Sequence, residues 1–164
     1  MLSPEQIADA ANRLYRAEKD HTQIRALTMS FDLDMDDAYA IQKAWIDRRL
    51  GDGEKVIGYK IGLTSRTMQV AMNITTPDYG VLTDAMLFPD QCEITAADFL
   101  DPRIESEFAF VMKKRLFGED VSIEEVMDAT EYVQPALELI SARSMRVDPE
   151  TGYTRNVFDT IADN

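Results

Sequence analysis

Histidine and cysteine are nearly missing: His21 and Cys92 are the only ones among 164 residues. A single thiol closes no internal disulfide, and Cys-rich zinc frameworks are excluded. One imidazole likewise argues against His-based zinc sites and against a Ser-His-Asp triad within the chain. Glycine is sparse, with seven residues and no Gly-rich phosphate loop, which weakens a nucleotide reading. No apolar run is long enough to cross a bilayer, and the stretch from Met1 to Asp20 has no apolar core of a signal peptide. Basic residues are also short. Seventeen Lys and Arg against 30 Asp and Glu leave a net charge of −13, spread along the chain. Such a field repels phosphate backbones and anionic lipid, so no nucleic-acid and no membrane partner is expected. These absences predict a soluble protein of a reducing compartment, the cytoplasm. What remains for chemistry is carboxylates, lysines and metals held by oxygen.

The length fits a single domain over residues 1–164 with a sizeable core, and no repeat, low-complexity tract or linker divides it. Ser3, Pro4 and Gln6 read as a capping box with proline at the first helical position, followed by an apolar stripe at Ile7, Ala10, Ala11 and Leu14. A second helix is predicted from Asp34, with Ala38, Ile41 and Trp45 on one face, stopping before Gly51. Ser122 and Glu125 form another capping box, flanked by Val121 and Val126 at staple positions. Val56 to Leu63 and Ile104 to Met112 alternate as strands do; Ala85 to Phe88 and Tyr132 to Ile140 are shorter candidates, the latter disturbed by Pro135. The expected class is α+β, with a helical part over about 1–52 and a β-rich part from about 53 on. The last residues, Ile161 to Asn164, bring no polar tail and no closing strand, so the β-rich part is expected to be incomplete there.

Glu105 and Glu107 are the sharpest chemical feature. At i and i+2 of a strand they share a face, and two close carboxylates call for a cation or a shared proton. Glu138 lies among apolar neighbours in Pro135 to Ile140, where an acid needs a partner, so the three together suit an oxygen-seeking ion such as Mg²⁺ or Mn²⁺. The plainer reading is a solvated strand face carrying acids. Lys60 is flanked on its own face by Gly58 and Gly62, which leaves room for an ammonium to act as acid or base; a snorkelling lysine at a sheet rim explains the same spacing. Asp78 falls in Thr75 to Gly80, read as a turn with Pro77 ahead of it, and turn chemistry alone accounts for it. The scattered methionines read as core filler, and His21 as part of a surface connection.

Four segments, in order along most of the chain, carry a family resemblance. They are Gly58-Tyr59-Lys60-Ile61-Gly62-Leu63-Thr64-Ser65, Pro77-Asp78-Tyr79-Gly80, Pro102-Arg103-Ile104-Glu105-Ser106-Glu107-Phe108-Ala109-Phe110 and Pro135-Ala136-Leu137-Glu138-Leu139. Each is weak alone; together they resemble the 2-keto-4-pentenoate hydratase branch of the fumarylacetoacetate hydrolase superfamily. The stretch from Ser141-Ala142-Arg143 through Asp148-Pro149-Glu150-Thr151 to Val157–Asn164 is similar to branch members that act on a seven-carbon dicarboxylate. The resemblance implies mixed β-sheets rolled into a flattened barrel, helices packed outside, and a homo-oligomer whose chains continue beyond the Asp-Asn pair. It implies Mg²⁺, with Mn²⁺ as substitute, held by Glu105, Glu107 and Glu138, and it brings Lys60 and Asp78 into the active site. The expected substrate is a small dicarboxylic oxo-acid. The expected reaction is Mg-dependent hydration of 2-hydroxyhepta-2,4-diene-1,7-dioate to 4-hydroxy-2-oxoheptanedioate, in meta-cleavage catabolism of homoprotocatechuate. Arg143, ahead of Arg146 and Arg155, is expected to meet the distal carboxylate, because it directly follows the Glu138 segment. Two alternatives stay open: a 2-oxo-3-hexenedioate decarboxylase of the same family, and a non-catalytic subunit or assembly module.

Overall fold

A computed structural model describes residues 1–164. Helix α1, Pro4–Lys19, opens as its capping box dictates: the Ser3 hydroxyl accepts from the Gln6 N–H, and the Gln6 side chain accepts from the Ser3 N–H at 2.9 Å. Its stripe takes Ala10, Ala11 and Leu14 out of solvent completely. Helix α2, Met35–Gly51, starts from Asp34, whose carboxylate and that of Asp37 cap each other's backbone N–H groups. Ala38, Ile41 and Trp45 again form the buried face. Gly51 is the last helical residue rather than the first one past it, and the left-handed turn falls at Gly53, where φ is +102°.

Strands β1, Val56–Gly62, and β2, Asp78–Thr83, pair antiparallel, with α3, Arg66–Ala71, between them in sequence. Helix α5, Val157–Ala162, returns late in the chain to pack on α2 and place Ile161 and Ala162 in the core with Trp45 and Leu14. All of this belongs to one compact unit, Met1–Leu100 with Ala142–Asn164. The helical residues before 52 share this unit with β1, β2 and α5. The second unit is Asp101–Ser141, built from strands β3, Arg103–Met112, and β4, Thr130–Ile140, with α4, Ile123–Ala129, leading into β4. Helix α4 carries the Ser122–Glu125 capping box.

The structure keeps the α+β class and differs from the expectations in several particulars. Both sheets are two-stranded and antiparallel, so these residues form neither mixed sheets nor a closed barrel, which needs strands enough to return upon themselves. Residues expected as a strand at Ala85 to Phe88 begin instead with a 3₁₀ turn, Asp84–Met86, because the Asp84 carboxylate accepts from the Lys55 and Ala85 N–H groups and folds the chain locally. Asp78 is the first residue of β2, not a turn residue. Pro135 sits within β4 opposite Phe108, tolerable because β4 has a neighbour on one side alone. The alternation is as predicted, yet its apolar faces look outward: Tyr59 is 67% exposed and Phe108 75%.

Candidate functional site

The acidic cluster grows out of strand register. Glu105 pairs directly with Glu138 and Glu107 with Ala136 across the β3–β4 ladder, so all three carboxylates share one face. Each offers an oxygen within 4.8 Å of the other two; Glu105 and Glu107 are exposed and Glu138 is half-buried. Like charges at that spacing repel by about 1 kcal/mol per pair in water and several-fold more once the site dries. A hard cation removes the repulsion. Octahedral Mg²⁺ holds oxygens at about 2.1 Å, hence up to about 4.2 Å from one another, which small rotations of these side chains reach. The donor set, three oxygen anions and no nitrogen or sulfur, fits such an ion and leaves half its positions for water and a chelating ligand.

A second pair forms on the β1–β2 ladder. Lys60 is opposite Gly80 and Asp78 opposite Gly62, which makes Lys60 and Asp78 diagonal neighbours on one face. Each lies over the other strand's glycine. A Cβ added at Gly80 would stand 2.8 Å from the Lys60 Cε, and one at Gly62 would stand 2.3 Å from the Asp78 Oδ1. Asp78 is 4% exposed, and its Oδ2 accepts a hydrogen bond from the Asn164 amide at 2.9 Å. Behind the pair, Tyr39 stacks on Tyr79 with ring centroids 4.7 Å apart. Burial raises the Tyr39 pKa, and the charge of Asp78 adds to the rise. The sequence alone draws attention to Gly58 and Gly62 beside Lys60; it does not single out Gly80 or Asn164, whose roles depend on pairing across the fold.

Arg143 is placed otherwise than expected. Its side chain is 9% exposed, its Nε–H donates to Asp163 Oδ1 at 2.7 Å, and its Nη1 donates to Glu18 Oε2 at 2.9 Å. Nη2 reaches the Asp163 carbonyl, and the guanidinium lies 4.1 Å from the Trp45 ring centroid. Burial by itself would lower the Arg143 pKa; the Asp163 and Glu18 charges outweigh it and hold the group protonated. Arg155 is also turned inward, donating to Asp163 Oδ2 at 3.0 Å and to Ser144. The fork expected to meet a substrate carboxylate is engaged within its own unit by buried Asp163, half-buried Glu18 and the Trp45 face.

No family model matches the chain. A curated relative named 2-oxo-hept-4-ene-1,7-dioate hydratase, from Escherichia coli, is 48% identical over 155 residues, covering 94% of this chain and 58% of that protein. One named 2-hydroxypent-2,4-dienoate hydratase, from Pseudomonas putida, is 36% identical over 160 residues, covering 96% of this chain and 69% of that protein. A solved structure, 4-oxalocrotonate decarboxylase from Pseudomonas putida G7 complexed with magnesium and adipate, matches with a TM-score of 0.90 at 30% identity. It covers the whole of this chain, which spans 60% of that one. The chain accordingly spans about three fifths of the length of the first and last of these relatives. With 69% of the pentadienoate hydratase matched at 36% identity, the chain belongs to the hydratase branch of the fumarylacetoacetate hydrolase superfamily.

Proposed function

We propose that the protein of which this chain is the whole or a part hydrates 2-hydroxyhepta-2,4-diene-1,7-dioate to 4-hydroxy-2-oxoheptanedioate, with Mg²⁺ or Mn²⁺ held by Glu105, Glu107 and Glu138. The observation that carries the reading is the convergence of those three carboxylates from two paired strands. The 48% identity to a relative named for the seven-carbon substrate supports the choice of substrate. When bound, the cation supplies Lewis-acid stabilisation at the C1 carboxylate and C2 oxygen and reverses the local field of a chain with net charge −13. Two proton movements fall to this chain's own residues. The C2 enol must lose its proton while C5 gains one, giving the 2-oxo-3-ene; water then adds at C4 and C3 is protonated. Lys60 and Asp78 divide these tasks, one delivering protons and the other accepting the proton of the attacking water. In this reading the enzyme works in the cytoplasm, as a homo-oligomer, within meta-cleavage catabolism of homoprotocatechuate.

Glu→Gln changes at positions 105, 107 and 138, made one at a time in the full-length protein, test the reading by Mg²⁺ and Mn²⁺ calorimetry and by turnover. Each should lower metal affinity by more than the roughly 10–100-fold typical of losing a group hydrogen-bonded to a metal ligand, and should abolish hydration. Unchanged metal binding in two of the three would remove the site. A decarboxylase reading is favoured by solved structures of that name at 30% identity and by a curated relative of that name at 35%. Release of CO₂ from 2-oxo-3-hexenedioate, against hydrated product from the heptadienedioate, separates the two.

A further inference from the structure

We infer that Asn164 is a positioning residue for Asp78, fixed there by Gln42 and Arg143 through the last turn of α5. The inference rests on the reading that Asp78 moves a proton. The Asn164 Nδ2 donates to Asp78 Oδ2 at 2.9 Å, and the Asn164 side chain reaches the space above Gly80, where the Lys60 stem lies. A carboxylate that accepts from an amide is held in one rotamer and kept as an acceptor, the state needed to take a proton from water.

An amide on a frayed helix end would be a poor guide, and this end is not frayed. Gln42 is 2% exposed, and its single Nε2 group donates both to the Ile161 carbonyl at 2.9 Å and to the Tyr79 carbonyl at 3.0 Å. It thereby ties the end of α5 to the residue next to Asp78. The Trp45 indole donates to the Ala162 carbonyl at 3.0 Å. Asp163, buried, receives Arg143 Nε, the Ser144 N–H at 3.1 Å and Arg155. Three consecutive residues before Asn164 are therefore each fixed by a side chain from elsewhere in the same unit. Nothing in the helix itself requires so many tethers on six residues; the alignment of the next residue on Asp78 gives them a common purpose.

A double-mutant cycle in the full-length, Mg²⁺-loaded protein tests this, with kcat and KM measured for Asn164→Leu, Asp78→Asn and the pair, and melting temperature recorded for each. If Asn164 acts through Asp78, Asn164→Leu lowers kcat about 10- to 100-fold with KM changed less than about threefold, yet lowers it less than about twofold when Asp78 is already Asn. Equal losses in both backgrounds, or wild-type kcat for Asn164→Leu, overturn the inference while leaving the role of Asp78 intact. Near wild-type kcat for Asp78→Asn overturns that role and the inference with it. Should Asn164→Leu melt below the assay temperature, Asn164→Ala, smaller and likewise unable to donate, carries the same cycle with the same criteria.

Discussion

Lys60 stands on a strand position where the residue facing it, Gly80, has no side chain to share the space. That makes its substitution informative. Lys60→Met keeps most of the stem and should leave metal affinity and melting temperature near wild type, while hydration falls by roughly the 10²–10⁴ typical of a lost acid–base group. Lys60→Arg should fail almost as badly, because a guanidinium does not give up its proton near neutral pH. Turnover of the two variants, measured side by side, decides the matter: an active Arg variant would mean that the position needs a cation and no proton. Of the candidate residues, the pairing of Glu105 with Glu107 was readable because i and i+2 are local. The approach of Glu138 was readable only as a need for a partner, since its place opposite Glu105 is a matter of register. Asp78 read as a turn residue because its contacts lie far away, with Asn164 86 positions on. The ion pair of Arg143 was unreadable for the same reason: its partner Glu18 is 125 positions back and gives no local sign.

Helix boundaries were the most legible elements, since a capping box is a four-residue code that needs no tertiary information. It served at Ser3 and Ser122. The same code stands at Asn156 and Asp159, where the Asn156 side chain accepts from the Phe158 N–H at 2.9 Å, but six residues are too few for a hydrophobic period to announce a helix. Because α5 carries the tethers that end at Asn164, its cap has consequences beyond its length. Asn156→Ala should cost about 1 kcal/mol of unfolding free energy, seen as a lower urea midpoint with unchanged slope. An unaltered midpoint would mean that the tethers hold α5 without its cap. Strands were legible by alternation, which tells faces apart without saying which one is covered. Tyr59 and Phe108 show the difference, each on the apolar side and each exposed.

At the scale of the molecule, charge sets the response to pH. Glu18 is pulled in two directions: burial raises its pKa, and the guanidinium groups of Arg143 and Arg49 outweigh burial and bring it below its ordinary value of 4.5. Asp148 is also lowered, first by the backbone N–H of Thr151. A carboxyl whose pKa is lower folded than unfolded adds stability that is complete above the unfolded value and is lost as pH falls through the folded one. The melting temperature should therefore hold above about pH 5 and decline as pH falls through 4.5 and below. Glu18→Gln should lower it at neutral pH and flatten the acid decline. A decline of the same steepness in that variant would assign the acid sensitivity to other groups.

The direct opposition of Glu105 and Glu138 has a consequence for how the ladder comes to be paired at all. Moving β4 by one residue against β3 would turn Glu138 to the side of Phe108 and Phe110 and scatter the three acids over two faces. A cation gripped by all three is thus lost in any one-residue slip. Uptake of the proposed cation would then favour, by mass action, chains whose strands have zipped correctly over chains slipped by one residue.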